Sequence, residues 1–250
     1  MAFNFGELKT GNPSLRRAFQ GQIVDVNSNT MTVSGAINKS GILFLLLVAG
    51  AFVGWGLPET PYYAIGFFGS MIIGFILSLV ISFNQRLAPT LAPIYALLEG
   101  VMLGAISSIY EAARPGLAFN AMCLTFAVLG LMLGLYHFRD IRFSEKLMSI
   151  IMLATGAIAI TYLVDIIMGL FGHPMMMLHN SSPLSIGISL VIVGVAALNL
   201  IIDFEVITRG ADSRAPKYME WYGGFALLVT VVWLYLEILR LLLKLSSDRR

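Results

Sequence analysis

Seven long apolar stretches, separated by short polar connections, dominate the pattern of this chain. They cover residues 41–57, 62–83, 88–110, 116–138, 147–171, 184–202 and 222–243. A helix needs about 20 residues to cross a hydrocarbon core of about 30 Å. None of the stretches alternates apolar and polar positions as the strands of a membrane barrel do. The pattern therefore predicts an all-α polytopic membrane protein, a bundle of seven transmembrane helices.

The composition supports this prediction and restricts the kinds of molecule that the protein can contact. Of the 250 residues, 58% are hydrophobic and only 12% are charged, whereas a soluble domain carries about 25% charged residues. The lipid bilayer is therefore the predicted surrounding. A net charge of +2 from scattered basic residues excludes a nucleic-acid-binding surface, and the single cysteine, Cys123, excludes an internal disulfide.

The polar residues divide the chain into three parts. Residues 1–40 form a polar leader that lacks the apolar core of a signal peptide. Residues 41–243 form the membrane domain, and residues 244–250 form a short basic tail. Most of the 16 Lys and Arg residues fall in the leader and in the loops on the same side as the leader. The positive-inside rule then predicts a cytoplasmic N-terminus and a C-terminus outside.

Acidic residues are the unusual feature of the spans. No lysine or arginine lies deep in a span. Five acidic residues lie within or at the edge of one: Glu99, Asp165, Asp203, Glu205 and Glu237. Ionisable groups inside a membrane are costly and are functional candidates by default. The simplest alternatives are a hydrogen-bonded neutral Glu99, an Asp165 at the membrane interface, and an intrahelical pair between Glu237 and Arg240.

The common motifs of enzymes are missing. The chain has no His-Glu-x-x-His helix, no Gly-x-Ser-x-Gly elbow and no phosphate-binding loop, so we expect neither enzymatic activity nor a cofactor. The run Met175–Met177 between His173 and His179 could bind a soft metal, although methionine also fills apolar gaps. Carboxylate oxygens suit hard cations such as calcium. Two carboxylates that share a site cannot both ionise cheaply, so the acids predict a cation-handling or proton-sensing bundle.

Four short segments carry a family resemblance: Asn38–Gly41 before the first span, Tyr95–Gly100 in the third, Ile202–Phe204, and Tyr235–Glu237. From about residue 30 to about residue 245 the chain resembles the Bax inhibitor-1 family, in particular its bacterial branch. The resemblance implies a multi-pass protein of the cell (inner) membrane that acts as a pH-sensitive calcium leak channel.

The resemblance also implies roles for particular residues. Asp203 and Glu237 would form a proton-sharing pair that holds Ca²⁺ transiently, with glutamate at a position where the family usually has aspartate. Glu99 and Asp165 would line the pathway, and Arg86 would be the latch of the closed state. Geometry opposes a simple pair, because a turn centred near residue 213 leaves Asp203 and Glu237 offset by about 20 Å. Glu237 would then face Glu99 or Asp165.

Two other functions remain open from the sequence. The long polar leader is typical of a non-conducting regulator that binds another membrane protein, such as a protease or a death-pathway factor. A proton-coupled transporter would require inverted repeats or broken helices, for which Pro89 and Pro93 in the third span are the only hint.

Overall fold

The computed structural model describes residues 30–139, 144–173 and 175–247. Within these ranges seven helices are long and apolar enough to cross a membrane, which confirms the predicted number of spans and the all-α class. An eighth helix is a single turn. The helices are α1 (Val33–Trp55), α2 (Tyr63–Phe83), α3 (Ala88–Ala113), α4 (Leu117–Arg139), α5 (Glu145–Leu170), α6 (Met176–His179), α7 (Pro183–Asp212) and α8 (Met219–Ser247).

Local sequence explains where several helices begin. The side chains of Thr32, Ser144 and Ser182 each accept a hydrogen bond from a backbone N–H in the first turn of α1, α5 and α7, which satisfies a donor that the helix leaves free. Helix α3 continues through Pro93 without interruption. The broken helix that a transporter would need is therefore not formed in the third span.

The helices extend beyond the apolar stretches that predicted them. Helix α1 starts at Val33, inside the predicted leader, and α8 runs to Ser247, inside the predicted basic tail. Helix α7 continues to Asp212, ten residues past the predicted end at 202. Hydropathy marks where the chain leaves hydrocarbon, whereas the backbone hydrogen bonds of a helix continue into the polar interface.

Helix α8 lies at the centre of the bundle. It contacts α1, α3, α4 and α7, and its two apolar faces belong to different core clusters. Phe225, Leu228 and Val232 pack with residues of α1, α2 and α3. Leu227, Val231 and Leu234 pack with residues of α4 and α7. The last apolar stretch is thus enclosed by the others, so groups placed along it are removed from lipid.

Helices α1 and α3 approach each other closely through glycines. A Cβ on Gly100 would overlap the Leu47 carbonyl, and a Cβ on Gly54 would overlap the Val101 carbonyl. Gly50 and Gly104 are similarly crowded by backbone. Glycines four residues apart in the first, third and fourth spans predict close packing against a neighbouring helix, and these contacts confirm the prediction in the first and third spans. Gly130 of the fourth span faces open space, so the same prediction is wrong there.

The bundle has two faces, defined by the ends of its helices. The near face is the side on which α1 begins; there the Met31 amide donates to the Ala215 carbonyl in the α7–α8 turn, at 2.7 Å. The far face is the side on which α7 begins and α8 ends.

Between these faces, large apolar side chains stay exposed on the outside of the bundle, among them Phe52, Ile65 and Leu153. Such exposure is expected for a surface that meets lipid.

Candidate functional site

Asp203 occupies the middle of the bundle, on the side of α7 that meets α8. Its carboxyl lies against the Thr230 hydroxyl of α8. Its second oxygen, Oδ2, is buried and has no hydrogen-bond partner among the residues that the structure describes. No ion pair is formed by Asp203 within the described part of the chain. A carboxyl in this position is stable when it carries a proton or when a cation stands beside it.

The structure does not bring Asp203 and Glu237 into contact. Asp203 faces Thr230, and Glu237 lies seven residues, or about 10 Å, farther along α8 towards the far face. The offset is about half of the 20 Å expected from the sequence. The reason is that α7 ends at Asp212 and α8 begins at Met219, so the turn lies nearer to residue 216 than to 213.

Glu99 lies at a similar depth to Asp203 but faces another helix. The Tyr95 and Phe225 rings pack edge to face with centroids 5.0 Å apart, and this contact sets the register of α3 against α8. One turn beyond it, the Glu99 carboxyl hydrogen-bonds with Tyr95. Its Oε2 lies beside Gly74 of α2, 3.4 Å from where a Cβ would stand. Like Asp203, Glu99 forms no ion pair with a residue that the structure describes.

Glu237 is neutralised where it lies. Its Oε1 accepts a hydrogen bond from the Tyr162 hydroxyl at 2.7 Å and lies 3.3 Å from Nη1 of Arg240. The same Nη1 donates to the Tyr162 oxygen at 2.7 Å, and the guanidinium lies over the Tyr162 ring. The intrahelical pair expected from the three-residue spacing is confirmed. Tyr162 of α5, which sequence reasoning did not single out, completes this cluster, which we call the far clasp.

Asp165 ties the α5–α7 connection to the far end of α5. Its Oδ1 accepts from the Met175 amide at 2.8 Å, and its Oδ2 lies 2.8 Å from Nε2 of His179. Asp165 and Arg240 are near enough to interact electrostatically. The prediction that Asp165 lines the pathway stays a prediction, since its described contacts hold a loop in place.

Arg86, the predicted latch, lies in the short turn between α2 and α3 and is exposed. Among the described residues it forms no ion pair. It is remote from the far clasp because the α2–α3 turn lies at the near face. The arginines that the structure places beside buried acids are Arg240, next to Glu237, and Arg209, whose Nε lies 2.6 Å from Oε1 of Glu205.

One buried acid, Glu220, was missed in the sequence because it lies just outside the seventh apolar stretch. Glu220, in the first turn of α8, is 1% exposed. Its Oε1 accepts from the backbone amide and the hydroxyl of Thr32, both at 3.0 Å, and lies 3.2 Å from Nζ of Lys217. An acid in the first turn of a helix is a recognisable signal. Its contact with Thr32, 188 residues away, leaves no trace in local sequence.

Two further predictions concern metal and partners. Within residues 30–139, 144–173 and 175–247, no group of three His, Cys, Asp or Glu side chains is assembled around a possible metal position. The leader that favoured a regulatory function falls mostly on residues 1–29, outside the described residues. Binding of a second membrane protein therefore stays a prediction.

Comparison with known proteins identifies the family. A search of curated proteins found no match to this chain. By contrast, residues 12–247 match the family described as Bax inhibitor 1 like. This match spans all seven membrane-crossing helices and includes each of the four segments on which the resemblance rested. The chain therefore belongs to the Bax inhibitor 1 like family.

Proposed function

We propose that this protein is a cation leak that conducts Ca²⁺ down its gradient, and that protonation of Asp203 controls the flux. The observation that carries the proposal is the buried Oδ2 of Asp203, in the middle of a seven-helix bundle, for which the described part of the chain supplies no hydrogen-bond partner. An ionised carboxylate there needs a cation, and no basic side chain of the described residues supplies one. A mobile cation and a proton are the remaining ways to neutralise it.

Glu99 supports the same proposal. It is a second carboxyl at mid-depth, and its described partner is a neutral phenol rather than a basic group. Oxygen ligands of this kind suit a hard divalent cation, which can keep several waters while it passes. In this proposal Asp203 is the proton-dependent group, and Glu99 offers cations a second carboxylate on the other side of α8.

In this proposal, the intact far clasp belongs to the closed state of the protein. Arg240 already neutralises Glu237, so Glu237 is not available to a cation while the clasp is intact. Opening the pathway at the far face would separate Arg240 from Glu237 and release the carboxylate. We further propose that the protein resides in the cell (inner) membrane, with the near face towards the cytoplasm, because most basic residues of the leader and loops belong to that side.

The test is Ca²⁺ flux into liposomes that contain purified Asp203→Asn, measured across a series of pH values. Asparagine keeps the size of the side chain but cannot change charge, so the flux of the variant should lose most of its pH dependence. The matched control is Asp212→Asn, the same substitution at an exposed position on the same helix, which should keep the wild-type curve. Identical curves for Asp203→Asn and wild type would contradict the assigned role of Asp203.

A further inference from the structure

A cavity of about 500 Å³ opens between α1, α3, α4 and α8, on the half of the bundle nearer to the far face. Its volume lies within the range of small-molecule sites, about 300–1,000 Å³. Most of its wall is aliphatic or aromatic, and Phe52, Trp55 and Phe119 stand exposed at its rim. A molecule dissolved in the membrane can therefore reach the cavity sideways from the bilayer.

Three hydroxyl groups interrupt the apolar wall: those of Ser107, Thr125 and Tyr235. Ser107 gives its proton to the Leu103 carbonyl at 2.7 Å. Thr125 likewise donates to the carbonyl of Ala121 at 2.7 Å.

The Tyr235 proton is accounted for in the same way. Its oxygen lies 2.6 Å from Oγ of Ser107. Because the single proton of Ser107 is engaged with the Leu103 carbonyl, we assign Tyr235 as the donor of this bond. All three protons are thus used inside the protein. Each oxygen keeps lone-pair capacity, so the polar part of the cavity can accept hydrogen bonds but has none to donate.

The depth of these hydroxyls restricts the occupant. Ser107 is six residues before the far end of α3, and Thr125 is eight residues after the far end of α4, which places them about 9 to 12 Å below the helix ends. Helix α3 is about 39 Å long, longer than a hydrocarbon core of about 30 Å. The hydroxyls therefore lie just inside the hydrocarbon boundary, where a charged phosphate group is disfavoured.

We propose that this cavity binds an uncharged, membrane-dissolved alcohol. The apolar body of the ligand fills the space between α1 and α4, and its hydroxyl donates to the lone pairs of Ser107, Tyr235 or Thr125. A phospholipid acyl chain could fill the same volume, but it has no hydrogen-bond donor for the three hydroxyl oxygens of the cavity wall. This assignment does not depend on cation flux.

The experiment measures binding of farnesol and of farnesyl methyl ether to the purified full-length protein in detergent. The two probes share one apolar body and differ in the hydroxyl proton. Wild-type protein should bind farnesol about fivefold more tightly than the ether, the effect of one ordinary hydrogen bond. Equal binding of both probes, or binding of neither, would overturn the proposal, since the cavity would then be a plain acyl-chain groove.

Two variants locate the preference. Ser107→Ala frees the Tyr235 proton, so this variant should accommodate the ether oxygen and lose the preference for the alcohol. The combination of Ser107→Ala, Thr125→Val and Tyr235→Phe removes all three hydroxyl oxygens and should lose the preference as well, without leaving a free donor. The matched control is Ser78→Ala, which removes a hydroxyl bonded to its own helix on α2 and should keep it. A preference that persists in the triple variant would place the binding site elsewhere and refute this assignment.

Discussion

Replacing Arg240 by methionine removes the cation that neutralises Glu237. The Glu237 side chain is 2% exposed, whereas that of Arg240 is 36% exposed. At their separation of 3.3 Å, an effective dielectric constant of about 20 gives an attraction of about 5 kcal/mol, part of which offsets desolvation. Without Arg240 the buried carboxylate keeps only the hydrogen bond from Tyr162. We expect the free energy of unfolding to fall by about 3 kcal/mol.

Replacing the acid of this pair should lower the free energy of unfolding much less than replacing the arginine. Glu237→Gln leaves Arg240 able to reach water or lipid headgroups, and the amide oxygen of glutamine can still accept the bond from Tyr162. We expect a loss of about 1 kcal/mol. Adding Glu237→Gln to Arg240→Met should recover part of the stability, because the double variant contains no unpaired buried charge.

Unfolding of each variant in mixed micelles of dodecyl maltoside and SDS, followed by helical circular dichroism, measures these differences. The asymmetry between the two single variants is the informative result. Equal costs for Arg240→Met and Glu237→Gln, or a double variant as unstable as the sum of both, would refute the reasoning that Arg240 neutralises a buried acid.

Two further predictions use the same unfolding titration. Gly100→Ala should destabilise the protein by about 1–3 kcal/mol, because the new Cβ would lie 2.9 Å from the carbonyl carbon of Leu47. The control is Gly130→Ala, where the new Cβ faces open space, and this variant should be neutral or slightly stabilising. A similar loss at both positions would contradict the close crossing of α1 and α3. Glu220→Ala should cost about 2 kcal/mol, because it removes two hydrogen bonds that Thr32 donates to a buried carboxylate. Glu59→Ala, at an exposed turn, should change stability by about 0.5 kcal/mol or less; an equal effect of both would refute the stabilising role of the Glu220–Thr32 contact.

The number of spans could be predicted from the sequence because a membrane imposes it. A helix that crosses hydrocarbon must be long and apolar, and all seven stretches satisfy this requirement. Packing between α1 and α3 was also predictable, since glycines four residues apart permit close backbone approach. Gly130 shows the limit of that rule. The same spacing recurs there, but no described atom lies within 4 Å of where its Cβ would stand.

The site was less predictable because partners across a bundle depend on helix offset and rotation. The short-range pair of Glu237 and Arg240 follows from their spacing. Asp203 was assigned to Glu237 through a family resemblance, yet it meets Thr230, because the α7–α8 turn is centred near residue 216 and a level pair with Glu237 would need it near residue 220. Tyr162 and Glu220 make their key contacts with residues more than 70 positions away, and local pattern carries no information about such contacts.

Flux through the wild-type protein tests the central claim most directly. Purified protein in liposomes, with empty liposomes as the control, should be assayed for Ca²⁺, K⁺ and H⁺ entry at one acidic and one alkaline pH. The cation-leak account predicts Ca²⁺ entry above the control, at a rate that differs between the two pH values. Ca²⁺ entry no faster than in empty liposomes at either pH would contradict it.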